Sequence, residues 1–513
     1  MFKSSGVTHQ DSYREVIFAS LQQDDYISKK YFFMLIPQKT KTFFLSSLFI
    51  SATFLSQAHN VSKGYEKPTD PLVVKNLEEW QDLKFGLFMH WGTYSQWGIV
   101  ESWSLCPEDE SWTQRKPEHG ETYNEYVKNY ENLQTTFNPT QFNPRKWADA
   151  AKKAGMKYVV FTTKHHDGFS MFDTKESDYK ITSAKTPFSK TPKADVVQEI
   201  FTTFRKEGFK IGAYFSKPDW HSDDYWWPYF PPKDRNVNYD PKKYPERWER
   251  FKMFTWNQLN EITSNYGKID ILWLDGGWVR PFKTIDPAVE WQRTIKVEQD
   301  IDMDKIGNMA RKNQPGIIIV DRTVPGKWEN YVTPEQAVPD QPLSIPWESC
   351  ITMGDSFSYI PDDHYKSSQK IIETLIKIIS RGGNYLMNIA PGPNGDYDAV
   401  VYERLKEISG WMDKNGAAVF ATRTLAPYHE GDFYYTTSKD GKTVNVFHTD
   451  EKTSYAAPSD LSFSVPENFT PKSLKILGID SKVQWKQKGN RIEVHLPSER
   501  KQLMYSTVIQ LQK

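Results

Sequence analysis

Two hydrophobic periods alternate along this chain. Stretches with apolar residues at three- and four-residue spacing, closed by glycine, run repeatedly into short continuous apolar runs, the pattern of a helix feeding a buried strand. The first clear unit is Asn143-Pro-Arg-Lys-Trp-Ala-Asp-Ala-Ala-Lys-Lys-Ala-Gly155. Asn143 is placed to cap it, Pro144 takes the first helical position and Gly155 stops it. It leads directly into Tyr158-Val-Val-Phe-Thr-Thr-Lys-His165-His166, a predicted strand. The unit recurs as a helix over 196–205 and a strand over 210–216, then as 248–266 with 271–274, 306–312 with 316–322, and 367–380 with 384–391. Segments 84–90 and 347–352 read as further strands, which makes about seven.

Helix and strand alternating in this way imply parallel pairing with right-handed crossovers. The predicted fold class is therefore α/β, a (β/α)8-like barrel of the TIM type. A doubly wound sheet is the structural rival, but no Gly-rich phosphate loop follows the first strand. After a helix over 401–414 the texture changes to short alternating segments such as Thr443-Val-Asn-Val-Phe447 and Arg491-Ile-Glu-Val-His495, with turns at Asp440-Gly441 and Lys488-Gly489-Asn490. These predict an all-β sandwich. The expected layout is a catalytic barrel over 59–425 and a C-terminal β-sandwich over 426–513.

Upstream, Lys39 and Lys41 precede an apolar run over 43–55, and Ser56-Gln-Ala58 fits a small-x-small cleavage site. Together they describe a secretory signal peptide over 34–58, too short for a membrane span. With Met34 as the start, residues 1–33 are an overextension, and the mature protein is expected to be secreted or periplasmic. Charge sharpens the list of partners: 65 basic and 65 acidic residues leave no excess to steer the chain toward nucleic acid or an anionic membrane. The two cysteines, Cys106 and Cys350, exclude a disulfide framework and read as free thiols. Aromatic residues make up 15% of the chain, and Trp recurs where the apolar faces of sugars would be stacked.

Hydrolysis of a glycosidic bond needs two carboxyl groups. In Ile271-Leu-Trp-Leu-Asp275-Gly-Gly-Trp278, Asp275 ends a predicted central strand, on the rim where a barrel builds its active site. It is the candidate nucleophile. The second carboxyl is Glu335, in Tyr331-Val-Thr-Pro-Glu-Gln336, or Glu348, in Pro346-Trp-Glu-Ser-Cys350. Glu335 is preferred because a loop residue beyond a strand end can swing over the pocket. His90, His165 and His166 close two strands, and imidazoles there can donate to ring hydroxyls or ligate a metal. Without a His-x-His pair on the first strand or a clear acidic ligand cluster, no metal and no other cofactor is expected. Arg322 can fork onto a hydroxyl or a carboxylate, and Phe357 with Tyr359 can form an apolar wall. The Trp-rich stretch over 223–232 reads as an aglycone platform or as the packing of a lid.

Taken in order, Lys84-Phe-Gly-Leu-Phe-Met-His-Trp-Gly-Thr-Tyr94, Lys164-His-His-Asp-Gly-Phe169, Leu272-Trp-Leu-Asp-Gly-Gly277, Val320-Asp-Arg322, Trp347-Glu348 and Gly382-Gly-Asn-Tyr-Leu-Met-Asn-Ile-Ala-Pro391 resemble the α-L-fucosidases of glycoside hydrolase family 29. The resemblance covers about residues 70 to 425. It implies a retaining, exo-acting enzyme that takes terminal α-L-fucose from glycans, with Asp275 as nucleophile. It also implies sugar contacts from His90, His165, His166, Tyr214, Trp273, Arg322 and Phe357. Glu101, in Glu101-Ser-Trp103, is the nearest match to a further sugar-binding Glu. Members of the family differ in whether the Thr-x-Glu loop or the later Trp-Glu pair supplies the acid/base, so Glu335 and Glu348 both stay open. A metal-dependent barrel hydrolase and a non-catalytic glycan-binding protein are the alternatives. Linkage specificity and oligomeric state are not written in these patterns.

Overall fold

The computed structural model of the protein describes residues 64–107, 113, 115–450 and 454–513. The expected signal peptide over 34–58 and the extension over 1–33 lie outside the described residues. Asp70 opens the first helix, α1 (Pro71–Leu83), by accepting the Leu72 N–H at 2.8 Å, and Pro71 holds the first position. The chain then runs through β1 (Phe85–Met89), α2 (Tyr123–Asn132), α3 (Pro144–Lys153), β2 (Tyr158–Lys164), α4 (Val196–Lys206), β3 (Lys210–Ser216), α5 (Pro245–Asn265) and β4 (Ile271–Asp275). It continues as α6 (Met303–Asn313), β5 (Ile318–Asp321), β6 (Glu348–Thr352), α7 (Ser368–Ser380), β7 (Asn384–Asn388) and α8 (Ala399–Asn415).

The seven strands pair in parallel in the order β5-β4-β3-β2-β1-β7-β6. Among the described residues no eighth strand closes the barrel; the segment 328–336 stands in its place. Its first part runs against β5, where Asp321 N–H donates to the Trp328 carbonyl at 3.0 Å and Asn330 N–H to Ile319 at 2.9 Å. Its second part runs along β6: Glu348 N–H donates to Val332 at 3.0 Å, Cys350 N–H to Pro334 at 3.1 Å, and Gln336 N–H to Cys350 at 3.0 Å. The reversal between the two parts, and Pro334 with no N–H to give, keep this stave from becoming a regular strand.

Alternate strand residues fill the interior. Phe88, Tyr158, Val160, Tyr214, Ile271, Trp273, Ile318, Val320, Cys350 and Leu386 form one buried cluster, joined from below by Leu77 and Trp80 of α1. The other strand faces pack on the surrounding helices in a second, larger core. Helix α1 is thus the plug of the barrel floor, and the Trp80 ring stacks on Tyr331 of the closing segment at 4.0 Å between centroids.

The C-terminal module comprises β8 (Thr422–Glu430), β9 (Phe433–Ser438), β10 (Thr443–His448), β11 (Asp460–Ser464), β12 (Ser473–Ile476), β13 (Gln484–Lys488), β14 (Arg491–His495) and β15 (Thr507–Gln512). Its first strand begins at Thr422, a few residues ahead of the expected boundary at 426. A five-stranded sheet, β12-β15-β10-β9-β8, faces a three-stranded one, β11-β14-β13, with Val444, Val446, Phe463, Ile492, Ile509 and Leu511 buried between them. The outer face of the larger sheet packs through Tyr434, Phe447 and Val508 into the same core as Ile372, Ile376, Leu405 and Trp411 of α7 and α8. Cys106 and Cys350 are buried, and neither is in a disulfide. No helix among the described residues is long and apolar enough to cross a membrane.

The plug generates a stability prediction. Trp80→Ala removes a buried ring and its stack on Tyr331, so chemical denaturation of the full chain is expected to show a loss of about 3–5 kcal/mol. A loss below about 1 kcal/mol would show that the barrel floor does not depend on this contact.

Candidate active site

Parallel pairing brings the last residues of the strands to one rim, and the site is built there. Asp275 ends β4 and Tyr214 lies on β3; the Tyr214 hydroxyl donates to Asp275 Oδ2 at 2.8 Å. Arg322 follows β5 and donates from Nη1 to Asp275 Oδ1 at 3.3 Å. Its Nη2 binds Glu335 Oε2, and its Nε donates to Thr333 Oγ1 at 3.3 Å. One guanidinium therefore spans the two carboxyl groups singled out from the sequence. Beneath it lies the Trp273 ring, whose centroid is 5.3 Å from the Arg322 cation and 5.3 Å from the parallel Tyr214 ring.

Burial would raise the Asp275 carboxyl, but Arg322 leads a set of opposing contacts that includes the Tyr214 hydroxyl and the Gly276 N–H, and they hold it down at about 2. Asp275 is ionised across the whole working range. His166 Nε2 stands 3.8 Å from Asp275 Oδ2, yet burial pulls this imidazole down to about 3, so it is neutral. The charge balancing Asp275 thus comes from Arg322 rather than from His166.

The other histidines are neutral for the same reason. Burial takes His90 down to about 4 and His165 well below its usual value. His90 Nδ1 lies 2.8 Å from Asn388 Oδ1, and the Asn388 amide nitrogen donates to the Phe357 carbonyl at 2.7 Å. That arrangement places the His90 proton on Nδ1 and leaves Nε2 as an acceptor for a hydroxyl. His165 Nδ1 is hydrogen-bonded to Ser102, and its ring lies parallel to Tyr214 at 5.7 Å. Phe357 stands 5.0 Å from the His90 ring. Glu101 is buried with Oε1 unpartnered, and burial first, then the nearby Glu335 and Asp275 carboxylates, push it up to about 8. At neutral pH it is a protonated hydrogen-bond donor. Trp103, next but one to it, meets His166, Trp220 and Trp278 edge-on or tilted at 5.3–5.7 Å, which makes an aromatic wall beside the pocket.

The two candidate glutamates separate. The Glu335 side chain is 42% exposed at the rim. Glu348 is 0% exposed and sits inside the barrel, where it accepts hydrogen bonds from Tyr158 and from Tyr331, the latter at 3.2 Å. Its place in the chain, at the head of β6, points it below the pocket rather than into it. The Trp-rich stretch over 223–232 is divided: Trp226 is buried and stacked on Trp220 at 5.0 Å, while Tyr229 is 73% exposed.

Several supports are not among the residues singled out from the sequence. Asn388, Ser102 and Thr333 orient His90, His165 and Arg322, and a buried ion pair between Lys217 and Asp321 lies directly behind the site. Lys217 N–H also donates to the Asp275 carbonyl at 3.0 Å. The adjacency of Asp321 and Arg322 is the one sequence signal that points there. His165, His166 and Asp275 each offer a ligand atom within 4.8 Å of one another, the geometry of a possible cation site. His165 Nδ1 is taken by Ser102 and both Asp275 oxygens by Tyr214 and Arg322, which leaves only His166 uncommitted, and the guanidinium would repel a cation, so the residues do not fit a metal.

Paired carboxylates on a barrel rim, walled by aromatics and neutral histidines, define a glycoside hydrolase site. The family model described as Alpha-L-fucosidase matches residues 52–417. The human plasma α-L-fucosidase is 26% identical over 459 residues, 86% of this chain and 90% of that protein, and an α-L-fucosidase of Dictyostelium discoideum is 25% identical over 457 residues, 85% and 90% of the two chains. Among solved structures, α-L-fucosidase isoenzyme 1 from Paenibacillus thiaminolyticus superposes with a TM-score of 0.68 at 26% identity, covering 86% of this chain and 99% of that one. The chain belongs to the α-L-fucosidase family, glycoside hydrolase family 29.

The electrostatics of the site predict a pH response. With Asp275 as the nucleophile expected from the sequence, the ionised form is the one that would react, so activity would be held above its pKa and fall as pH drops through it. The acidic limb of kcat/KM should lie below about pH 4. In Arg322→Met burial is left unopposed by the guanidinium, so the limb should move up by about one unit or more. An unmoved limb would show that Arg322 does not set the Asp275 charge.

Proposed function

We propose that this protein is a retaining, exo-acting α-L-fucosidase that releases terminal α-L-fucose from glycans by double displacement, with Asp275 as nucleophile and Glu335 as acid/base. The observation that carries the assignment is the Arg322 guanidinium, which contacts both carboxyl groups at once and so sets them across one small pocket. In the first step an Asp275 oxygen bonds to the anomeric carbon as the glycosidic bond breaks, and Glu335 gives its proton to the departing oxygen. In the second, Glu335 takes a proton from water, the water oxygen bonds to the anomeric carbon, and Asp275 leaves. His90, His165, His166, Tyr214, Trp273 and the protonated Glu101 are the sugar contacts of this reading, and Phe357 with Trp273 is the apolar surface for the methyl group of fucose. Secretion or periplasmic location completes it, supported by the basic and apolar sequence over 39–58.

Glu348 is set aside as acid/base because it has no exposed surface, whereas Glu335 opens to the rim. Asp275→Gly is expected to lower turnover of a nitrophenyl fucoside by about a thousandfold or more, with azide restoring product as a fucosyl azide of inverted configuration. Glu335→Gln should lose about 10²–10⁴-fold on a fucosylated oligosaccharide but far less on the nitrophenyl substrate, whose leaving group needs no proton. Equal activity of either variant and the parent would remove that residue from the mechanism. Chelator should leave the rate as it is; loss on chelation with recovery on adding metal would favour a metal-dependent hydrolase instead.

A further inference from the structure

The acid/base assignment leaves Glu348 as a buried carboxyl without a role in the reaction. It lies inside the barrel at the head of β6 with no exposed surface. One oxygen accepts from the hydroxyl of Tyr158, the first residue of β2, three strands away around the barrel. The other accepts from the hydroxyl of Tyr331 at 3.2 Å, in the closing segment. The reach of Tyr158 is built into the backbone: Gly86 of β1 is its register partner, and a Cβ there would stand 2.4 Å from the Tyr158 ring. Only glycine leaves room for the ring to cross the barrel.

Tyr331 is four residues before Glu335, and the stretch between them is short and committed. Thr333 accepts from Arg322, while Val332 and Pro334 accept from the backbone of β6. The Tyr331 ring is pinned below by Trp80. Any slack at Tyr331 therefore moves Thr333, Arg322 and Glu335 together, relative to Asp275 on β4.

We infer that Glu348 is a positioning residue: by clasping Tyr158 and Tyr331 inside the barrel, it fixes the irregular stave that carries Glu335 and so sets where the acid/base stands against Asp275. The inference rests on Glu335 being the acid/base. A carboxyl pushed up to about 7 by burial spends much of its time neutral at working pH; its O–H then donates to one of the two tyrosine hydroxyls while its other oxygen accepts, a pairing that an amide can reproduce.

The test compares full-length Tyr331→Phe, Glu348→Ala and Glu348→Gln with the parent on a nitrophenyl fucoside and on a fucosylated oligosaccharide, with thermal melts alongside. Tyr331→Phe keeps the stacked ring and removes only the hydroxyl, so it should fold. The clasp predicts that Tyr331→Phe and Glu348→Ala lose kcat on the oligosaccharide by about tenfold or more, since a displacement of order 1 Å costs that much, while the nitrophenyl substrate loses less than about threefold. KM should change little, and Glu348→Gln should recover most of the oligosaccharide rate. Equal losses on both substrates, or a Tyr331→Phe variant with parental rates, would overturn the clasp. If instead Glu348→Gln is as poor on the oligosaccharide as Glu348→Ala, and azide rescues both to a fucosyl azide of retained configuration, Glu348 is itself the acid/base. Parental activity of Glu335→Gln on the oligosaccharide is a separate result, and it would overturn the assignment of Glu335 rather than the clasp alone.

Discussion

Two carboxyl groups face one site at the barrel rim, and a single planar cation holds both. Arg322 meets Asp275 through one nitrogen and Glu335 through another, so its fork measures the gap between them. The three residues come from consecutive staves: Asp275 from β4, Arg322 from the end of β5, and Glu335 from the segment that closes the barrel. Strand order therefore dictates the chemistry. Behind the fork, the buried Lys217–Asp321 pair is internally neutral and stiffens the backbone on either side of it. It adds no net charge to compete with Arg322, although separating it would strand a charge in the interior.

Much of this was legible in the sequence because it is written in local chemistry. The five helix-to-strand units have apolar spacing that runs into short apolar strands, and those strands stand where the signals place them. Asp275, Arg322 and the histidines sit at strand ends, and parallel pairing alone is enough to gather strand ends on one rim. Helices α1 and α2 fall outside the repeat, since neither leads from a glycine stop into a matching apolar strand in the usual way. Their own signals were present: Asp70-Pro71 at the start of α1, and a Thr122–Glu125 capping box at the start of α2.

Between the two glutamates the sequence favoured Glu335, on the reach of a loop residue, and kept Glu348 as the alternative. Both follow a similar local context, one after Thr-Pro and the other after Pro-Trp, and only the path of the closing segment tells them apart. That path is irregular, turning from antiparallel to parallel within a few residues, and no periodicity encodes such a reversal. The neutral state of the three histidines was equally hidden, because it depends on burial by residues far away in the chain. So was the protonated state of Glu101, which reaches the site from a loop distant from both carboxylates.

The C-terminal sandwich is more than an appendage. Along its centre the larger sheet is covered on both sides: one closes the module's own core, and the other is seated among α7 and α8, the last two helices of the barrel, while the edge strands β8 and β12 keep exposed residues. Cutting the chain after Asn415 would strip the apolar flank of α7 and α8, the first of which packs on β7. Heating should accordingly melt both parts in one cooperative transition.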